Sequence, residues 1–214
     1  MGATYIPGLA GLGRSMDVMS VSPVASALLG PVVGLASAKA AISHFTVMVK
    51  GLSQLFAAGP PIVKQATFED LSKEELGGWE IHATNGTVDN VASTELEALE
   101  QIRTFLSYLP SSIFQLPPRY SPSDSPTRKE EELLSIIPRR RARAYDIRRL
   151  IRLVVDVNAD HASGTTFFEI GKLWGRSIVT GFALLVGNPI AVISSDCTVN
   201  GGLSFGLFSA FSAC

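Results

Sequence analysis

The 214-residue sequence predicts an α/β fold. Three features carry that prediction. Residues 21–49 read as a strand, a glycine-punctuated turn, a short helix and a second strand. Ser93 to Leu109 repeats leucine and isoleucine at helical spacing. Ser177 to Ser195 is an uncharged pair of β-rich runs broken by Gly187-Asn188-Pro189, the signature of a buried hairpin.

In chain order, "VSPVASALL" (21–29) is the first buried strand, and it enters a turn at Gly30–Gly34. "LASAKAA" is small and helix-prone. His44–Val49 alternates as a strand does. In "TFEDLSKEELGG", Ser72 or Asp70 is the N-cap and Gly77 the stop signal. "NGTVDN" is a turn cluster. In the helix that follows, Leu96, Leu99, Ile102, Leu106 and Leu109 form one stripe with Glu97 and Glu100 off it. Five prolines between Pro110 and Arg128 mark an exposed, semi-rigid linker. "KEEELLSII" reads as a short helix, and a second amphipathic helix begins near Asp146 with Ile147, Leu150, Ile151 and Val154 inward. "TTFFEI" and the hairpin open a second sheet. The closing "GGLSFGLFSAFSAC" has no charge and no clear period, and reads as low-complexity tail.

Composition narrows the function. Hydrophobic residues make up 46% and charged ones 17%, so the core is ample and the surface sparsely charged or partly covered by a partner. A net charge of −1 gives no field drawing the chain to nucleic acid or an anionic membrane. Three histidines and two cysteines, Cys197 and Cys214, offer no metal-ligand spacing, so no metal is expected. The separated cysteines suit a reducing compartment. Lys39 and His44 interrupt the first apolar stretch, and Gly187-Asn188-Pro189 breaks the second, so no membrane span is expected. Gly2 lacks the Ser or Thr that myristoylation prefers, because Ile6 stands there. No targeting signal is visible, and a soluble, intracellular protein is expected.

The Gly30–Gly34 turn has a physical use. Glycine lets the backbone approach a ligand, and the first amides of the next helix lack intrahelical partners. Such a corner is suited to holding an oxyanion. Alone it is better explained by close packing of helix on sheet.

Four blocks, in order, add to this: "GPVVGLASAKAAISHFTVMVKG", "LFAAGPPIVKQATFEDLSKEELGGWEIHA", "EELLSIIPRRRARAYDIRRLI" and "FFEIGKLWGRSIVTGFALLVGNPIAVISSD". Together they resemble the carboxyltransferase (beta) subunits of biotin-dependent acyl-CoA carboxylases, the propionyl-CoA and methylcrotonyl-CoA carboxylase group. The resemblance implies a crotonase-like fold of ββα superhelix domains. It divides the chain into a partial acyl-CoA domain (1–109), a linker with a basic segment (110–144), the start of a second such domain (145–202) and a divergent tail (203–214). It implies carboxyl transfer to the carbon alpha to an acyl-CoA thioester. Acyl-CoA is then the substrate, and biotin is carried by a partner protein. Sister carboxyltransferase subunits and a biotin carboxylase or biotin carrier subunit are the implied partners. The implied compartment is the mitochondrial matrix or the cytoplasm.

The family's first oxyanion hole follows a Gly-Pro-x-x-Gly-Gly pattern, which falls on Gly30, Pro31, Val32, Val33, Gly34 and Leu35. Gly34 and Leu35 are the implied backbone donors, with Gly30, Pro31, Val33 and Ala36 lining the substrate. Leu35 departs from the pattern: its N–H survives if φ is negative, and a positive φ would strain it by about 1 kcal/mol or more. Gly77, Gly78 and His82 match a family block beside the acyl-CoA region, although a structural histidine is the plainer reading of His82. Lys39, Lys50 and Lys64 are candidates for CoA phosphates, or solvated lysines. "RRRAR" (139–143) reads as a solvated or subunit-contacting face rather than a nucleic-acid patch. Trp79 and Trp174 read as core or interface anchors. Leu184 stands where the family commonly has arginine. Family members extend further at both ends, and the isolated chain is expected to have little or no carboxylase activity. The open alternative is a non-catalytic remnant that binds acyl-CoA or a sister subunit. A crotonase-type hydratase or isomerase would need a carboxylate pair that the spacing does not offer.

Overall fold

The computed structural model describes residues 10–122, 124–140, 143–158 and 164–199. Expectations for Gly2, Cys214 and the tail at 203–214 lie outside these residues, as does part of the 139–143 basic run.

Helix α1 (Ala10–Met19) leads into two successive ββα units. The first is β1 (Ala25–Leu28), β2 (Pro31–Val33) and α2 (Leu35–Ala41), and the second is β3 (Phe45–Val49), β4 (Gln54–Phe56) and α3 (Pro60–Thr67). Helices α4 (Lys73–Gly77) and α5 (Trp79–Asn85), strand β5 (Asn90–Ala92) and helix α6 (Glu95–Ser107) complete this half. First strands pair with first strands and second with second. The sheet order is β1-β3-β5 in one layer and β2-β4 in the other, all parallel. The step between layers takes two or four residues, so the chain winds as a spiral instead of a flat sheet.

The strand expected at 21–29 is therefore two strands. Pro31–Val33 forms β2 inside the stretch read as a turn, and Gly34 makes the corner. A three-residue strand is too short to leave a period. Strand β3 does alternate, but between two cores. Phe45, Val47 and Val49 join Ala98, Phe105 and Tyr108, while Met48 joins Leu28, Ala40, Leu55 and Val88. All five of its residues are buried, and the Thr46 hydroxyl is satisfied by donating to the Ala40 carbonyl at 2.8 Å.

Of the two N-cap candidates, Ser72 caps α4, through a capping box with Glu75. Helix α6 is rotated from the predicted stripe. Ala98 and Phe105 are buried and Ile102 and Leu109 partly so, whereas Leu96 is 64% exposed and Leu99 and Leu106 also face solvent. The Phe105 ring stacks on Phe45 at 4.7 Å, and that contact sets the inward face. At 131–134 a single 3-10 turn replaces the expected helix. Leu134 is 90% exposed, so no packed face supports a longer one.

In the second half, α7 (Ile147–Val154) buries Ile147, Ile151 and Leu153 and leaves Val154 exposed, which corrects the predicted inward set. Strands β6 (Phe168–Ile170), β7 (Ile178–Leu185) and β8 (Asn188–Ser195) form an antiparallel sheet. The hairpin loop is Val186-Gly187, both at positive φ, one residue earlier than the Gly-Asn-Pro signal suggested. The halves share a core: Phe168 lies edge-on to Phe45 at 5.7 Å, and Phe182 meets Phe105 and Tyr108. Burial pushes the Tyr108 phenol up to about 12, and the hydroxyl donates to the Thr166 carbonyl at 2.5 Å.

Candidate functional site

The corner between β2 and α2 is built by the parallel ladder beside it. Gln54 N–H donates to the Gly30 carbonyl, and Gly34 N–H donates to the Phe56 carbonyl at 3.2 Å. That register turns the main-chain groups of Gly30, Val32 and Gly34 toward β4. The N–H of Val33 then lies on the opposite edge of a sheet that has two strands among the described residues. Gly34 sits at φ 66, ψ −130, a conformation closed to most L-residues, and from it α2 begins. No side chain caps α2, so the Leu35 and Ala36 amides are without a hydrogen-bond partner among the described residues. Leu35 is not among the residues at positive φ, so its donor is kept without backbone strain. Val33 and Leu35 are 48% and 42% exposed, and Ala36 is exposed too, so the corner lies at the surface. Gly34 contributes the bend, its own N–H being engaged by Phe56.

The second cluster of expected site residues lies on the far side of β4. A Cβ on Gly77 would meet the Leu55 carbonyl and come within 2.7 Å of the Phe56 ring. One on Gly78 would come within 2.6 Å of the Glu74 carbonyl. Gly77 thus lets α4 lie against β4, and Gly78 lets the chain turn tightly from α4 into α5. His82 donates from Nε2 to the Leu55 carbonyl at 2.5 Å, and its Nδ1 is buried without a partner among the described residues. The structure thus brings Gly30–Ala36 together on one side of the two-stranded sheet and Gly77, Gly78 and His82 on the other.

Among the lysines, Lys64 pairs with Asp70 at 2.7 Å on an exposed surface. Lys50 sits 4.8 Å over the Trp79 ring and lines a cavity of about 300 Å³ with Asp89, Asn90, Glu169 and Lys172. Burial raises the Asp89 carboxyl above the usual range, opposed by the Thr46 N–H that it accepts. Trp174 covers Gly86 and Gly171, both at positive φ, and so anchors one half on the other.

The sequence reading missed the polar ties of the second half, the longest of which join distant residues. Asp156, 4% exposed, accepts from the Val186 and Gly187 amides at 2.8 Å each. Arg128 reaches Asp124, Glu130 and the Val155 carbonyl, fastening the proline-rich stretch. Arg148 joins Glu169 to Asp196, and Asp196 is held below the usual carboxylate range by the Thr198 hydroxyl first and by Arg148 as well. Among the described residues no helix is long and apolar enough to cross a membrane, and no group of three or more His, Cys, Asp or Glu is placed to hold a metal.

The carboxyl transferase domain family matches residues 12–211. The chain belongs to that family. It is 34% identical over 202 residues to the propionyl-CoA carboxylase carboxyltransferase subunit of Haloferax mediterranei, covering 92% of this chain and 38% of that protein. It is 34% identical over 190 residues to the mitochondrial propionyl-CoA carboxylase beta chain of Homo sapiens, covering 88% and 34%. Among solved structures it matches transcarboxylase 12S with hydrolysed methylmalonyl-coenzyme A bound: 28% identity, TM-score 0.78, 89% of this chain and 37% of that one. A single-chain long-chain acyl-CoA carboxylase, at 22% identity and TM-score 0.71, shares the fold. The two-layer ββα winding is accordingly a crotonase-like α/β fold. The chain spans 34% to 38% of the length of these curated relatives.

Proposed function

We propose that this chain supplies the acyl-thioester corner of an acyl-CoA carboxylase carboxyltransferase. The observation that carries the reading is the set of unspent main-chain donors at Val33, Leu35 and Ala36 around the Gly34 bend. A thioester whose alpha carbon loses a proton becomes an enolate, with charge on the former carbonyl oxygen. Preorganised N–H donors stabilise that charge, and removing one costs about 10²–10³ in rate. Gly30 and Pro31 lead the backbone into the corner, and Ala36 keeps its far side small. Carboxybiotin, brought by a partner protein, supplies the carbon dioxide and the base for the alpha proton. No residue of this chain is assigned to biotin. Sister carboxyltransferase subunits and a biotin carboxylase or carrier subunit are the partners this reading requires. Gly77, Gly78 and His82 border the substrate region from behind β4. The division at 110–144 then separates an acyl-CoA half from the start of a biotin half.

The outward-facing position of Val33 and Leu35 favours a second reading, in which the chain binds acyl-CoA or a sister subunit without turning over. Titration calorimetry with propionyl-CoA and free CoA, beside a carboxylation assay with carboxybiotin, separates the two. Leu35→Pro is the diagnostic variant. Proline is tolerated at the first position of a helix and removes the Leu35 donor. The expected result is a preference for propionyl-CoA over CoA that Leu35→Pro abolishes. Equal affinity of both chains for both ligands would remove the corner from the chemistry.

A further inference from the structure

We infer that His82 is a positioning residue for the Val33–Leu35 corner, acting through strand β4 and not by touching substrate. The inference rests on the carboxyl-transfer reading above. In the β2–β4 ladder, Gln54 and Phe56 direct their main-chain groups to β2, so Leu55 directs its own to the other edge. Among the described residues no third strand lies there, and Leu55 is 3% exposed. A buried carbonyl without a donor is costly. His82 provides that donor from α5 at 2.5 Å, where a neighbouring strand would otherwise have done so.

The adjacent carbonyl, that of Phe56, holds the Gly34 amide and with it the bend. One side chain on α5 therefore fixes the residue next to the anchor of the corner. Gly77 confines the same carbonyl, since any side chain there would strike Leu55 and Phe56. The ring is not available to a ligand: Nε2 is spent on Leu55, and Nδ1 is buried. Removing the imidazole should leave α5 and the aromatic core in place while loosening β4 and letting Gly34 drift from its bend.

The test is residue-resolved amide hydrogen exchange on the full ¹⁵N-labelled chain, with propionyl-CoA affinity measured alongside. Wild type is compared with His82→Ala, His82→Gln and the milder His82→Asn. Losing the tie should speed exchange at Gly34 roughly tenfold, the factor one ordinary hydrogen bond supplies, with amides in β7 unchanged. Glutamine, whose amide nitrogen falls near the place of Nε2, should restore slow exchange and affinity together. Asparagine, one methylene short, should not. Unchanged exchange at Gly34 in the alanine or asparagine chain, an increase shared equally by β7, or failure of glutamine to rescue would each overturn the inference. Absence of propionyl-CoA binding by wild type would instead overturn the carboxyl-transfer reading, and Gly34 exchange would still decide the link to His82.

Discussion

The two halves of the molecule handle backbone polarity in opposite ways. In the first, short parallel strands alternate between two layers, and the crossing at Gly34 leaves amides at Val33, Leu35 and Ala36 unspent among the described residues. In the second, the two strands of a long antiparallel hairpin pair with each other, and the buried Asp156 takes up the amides of its loop. Unsatisfied donors are a cost to a fold and a resource to a site. The half proposed to hold the thioester is the one whose layer crossing leaves amides free at a bend.

The comparison breaks most visibly at the glycines that seat each half. Gly77→Ala drives a methyl group into the backbone of β4, and Gly181→Ala drives one into the Phe168 backbone. Each should cost about 3 kcal/mol in urea denaturation. Gly30→Ala, with nothing within 4 Å of its Cβ, should stay within about 0.5 kcal/mol. A small effect at Gly77 would mean that α4 is not pressed on β4.

Next in size is Asp156→Ala, which strands two loop amides and should cost about 2 kcal/mol. Because Val186 is held at φ 50, exchange at Val186 and Gly187 should rise before that of β3 does. Equal loosening of both regions would show that the loop clamp is not local.

The smallest effects are in pH, and the halves should differ in sign. Asp196 has a lowered folded pKa, so its contribution is present above the ordinary carboxylate range and is lost as pH falls through the folded value. Asp89 has a raised one, so its contribution is present below the ordinary range and is lost as pH rises through the folded value. Asp196→Asn should therefore destabilise near neutrality and become silent in acid. Asp89→Asn should stabilise near neutrality and also fade in acid. Urea midpoints followed against pH report both, and matching signs would remove the contrast.

The sequence was legible where local chemistry decides the outcome. Ser72 and Glu75 announce a helix start three residues apart, and glycine at position 34 announces a bend that other residues resist. It was opaque where fit between distant surfaces decides. Nothing in the spacing of Leu96, Leu99 and Leu106 says that Ala98 and Phe105 will face β3 instead, because that follows from the shape of Phe45. The open-edge amide of Val33 was likewise invisible until β2 was known to be a strand. The bend at Gly34 was legible in its glycine, but which amides are free around it is a property of the ladder, not of the glycines.

The ring stack of Phe45, Phe105, Phe168 and Phe182 has an evolutionary corollary. Two of the four aromatics come from each side of the proline-rich stretch, and each pair would be a greasy scar without the other. Recombination that swapped one side for a distant cousin's would have to bring rings of matching size. Drift along this lineage is thereby constrained to revise both sides in concert.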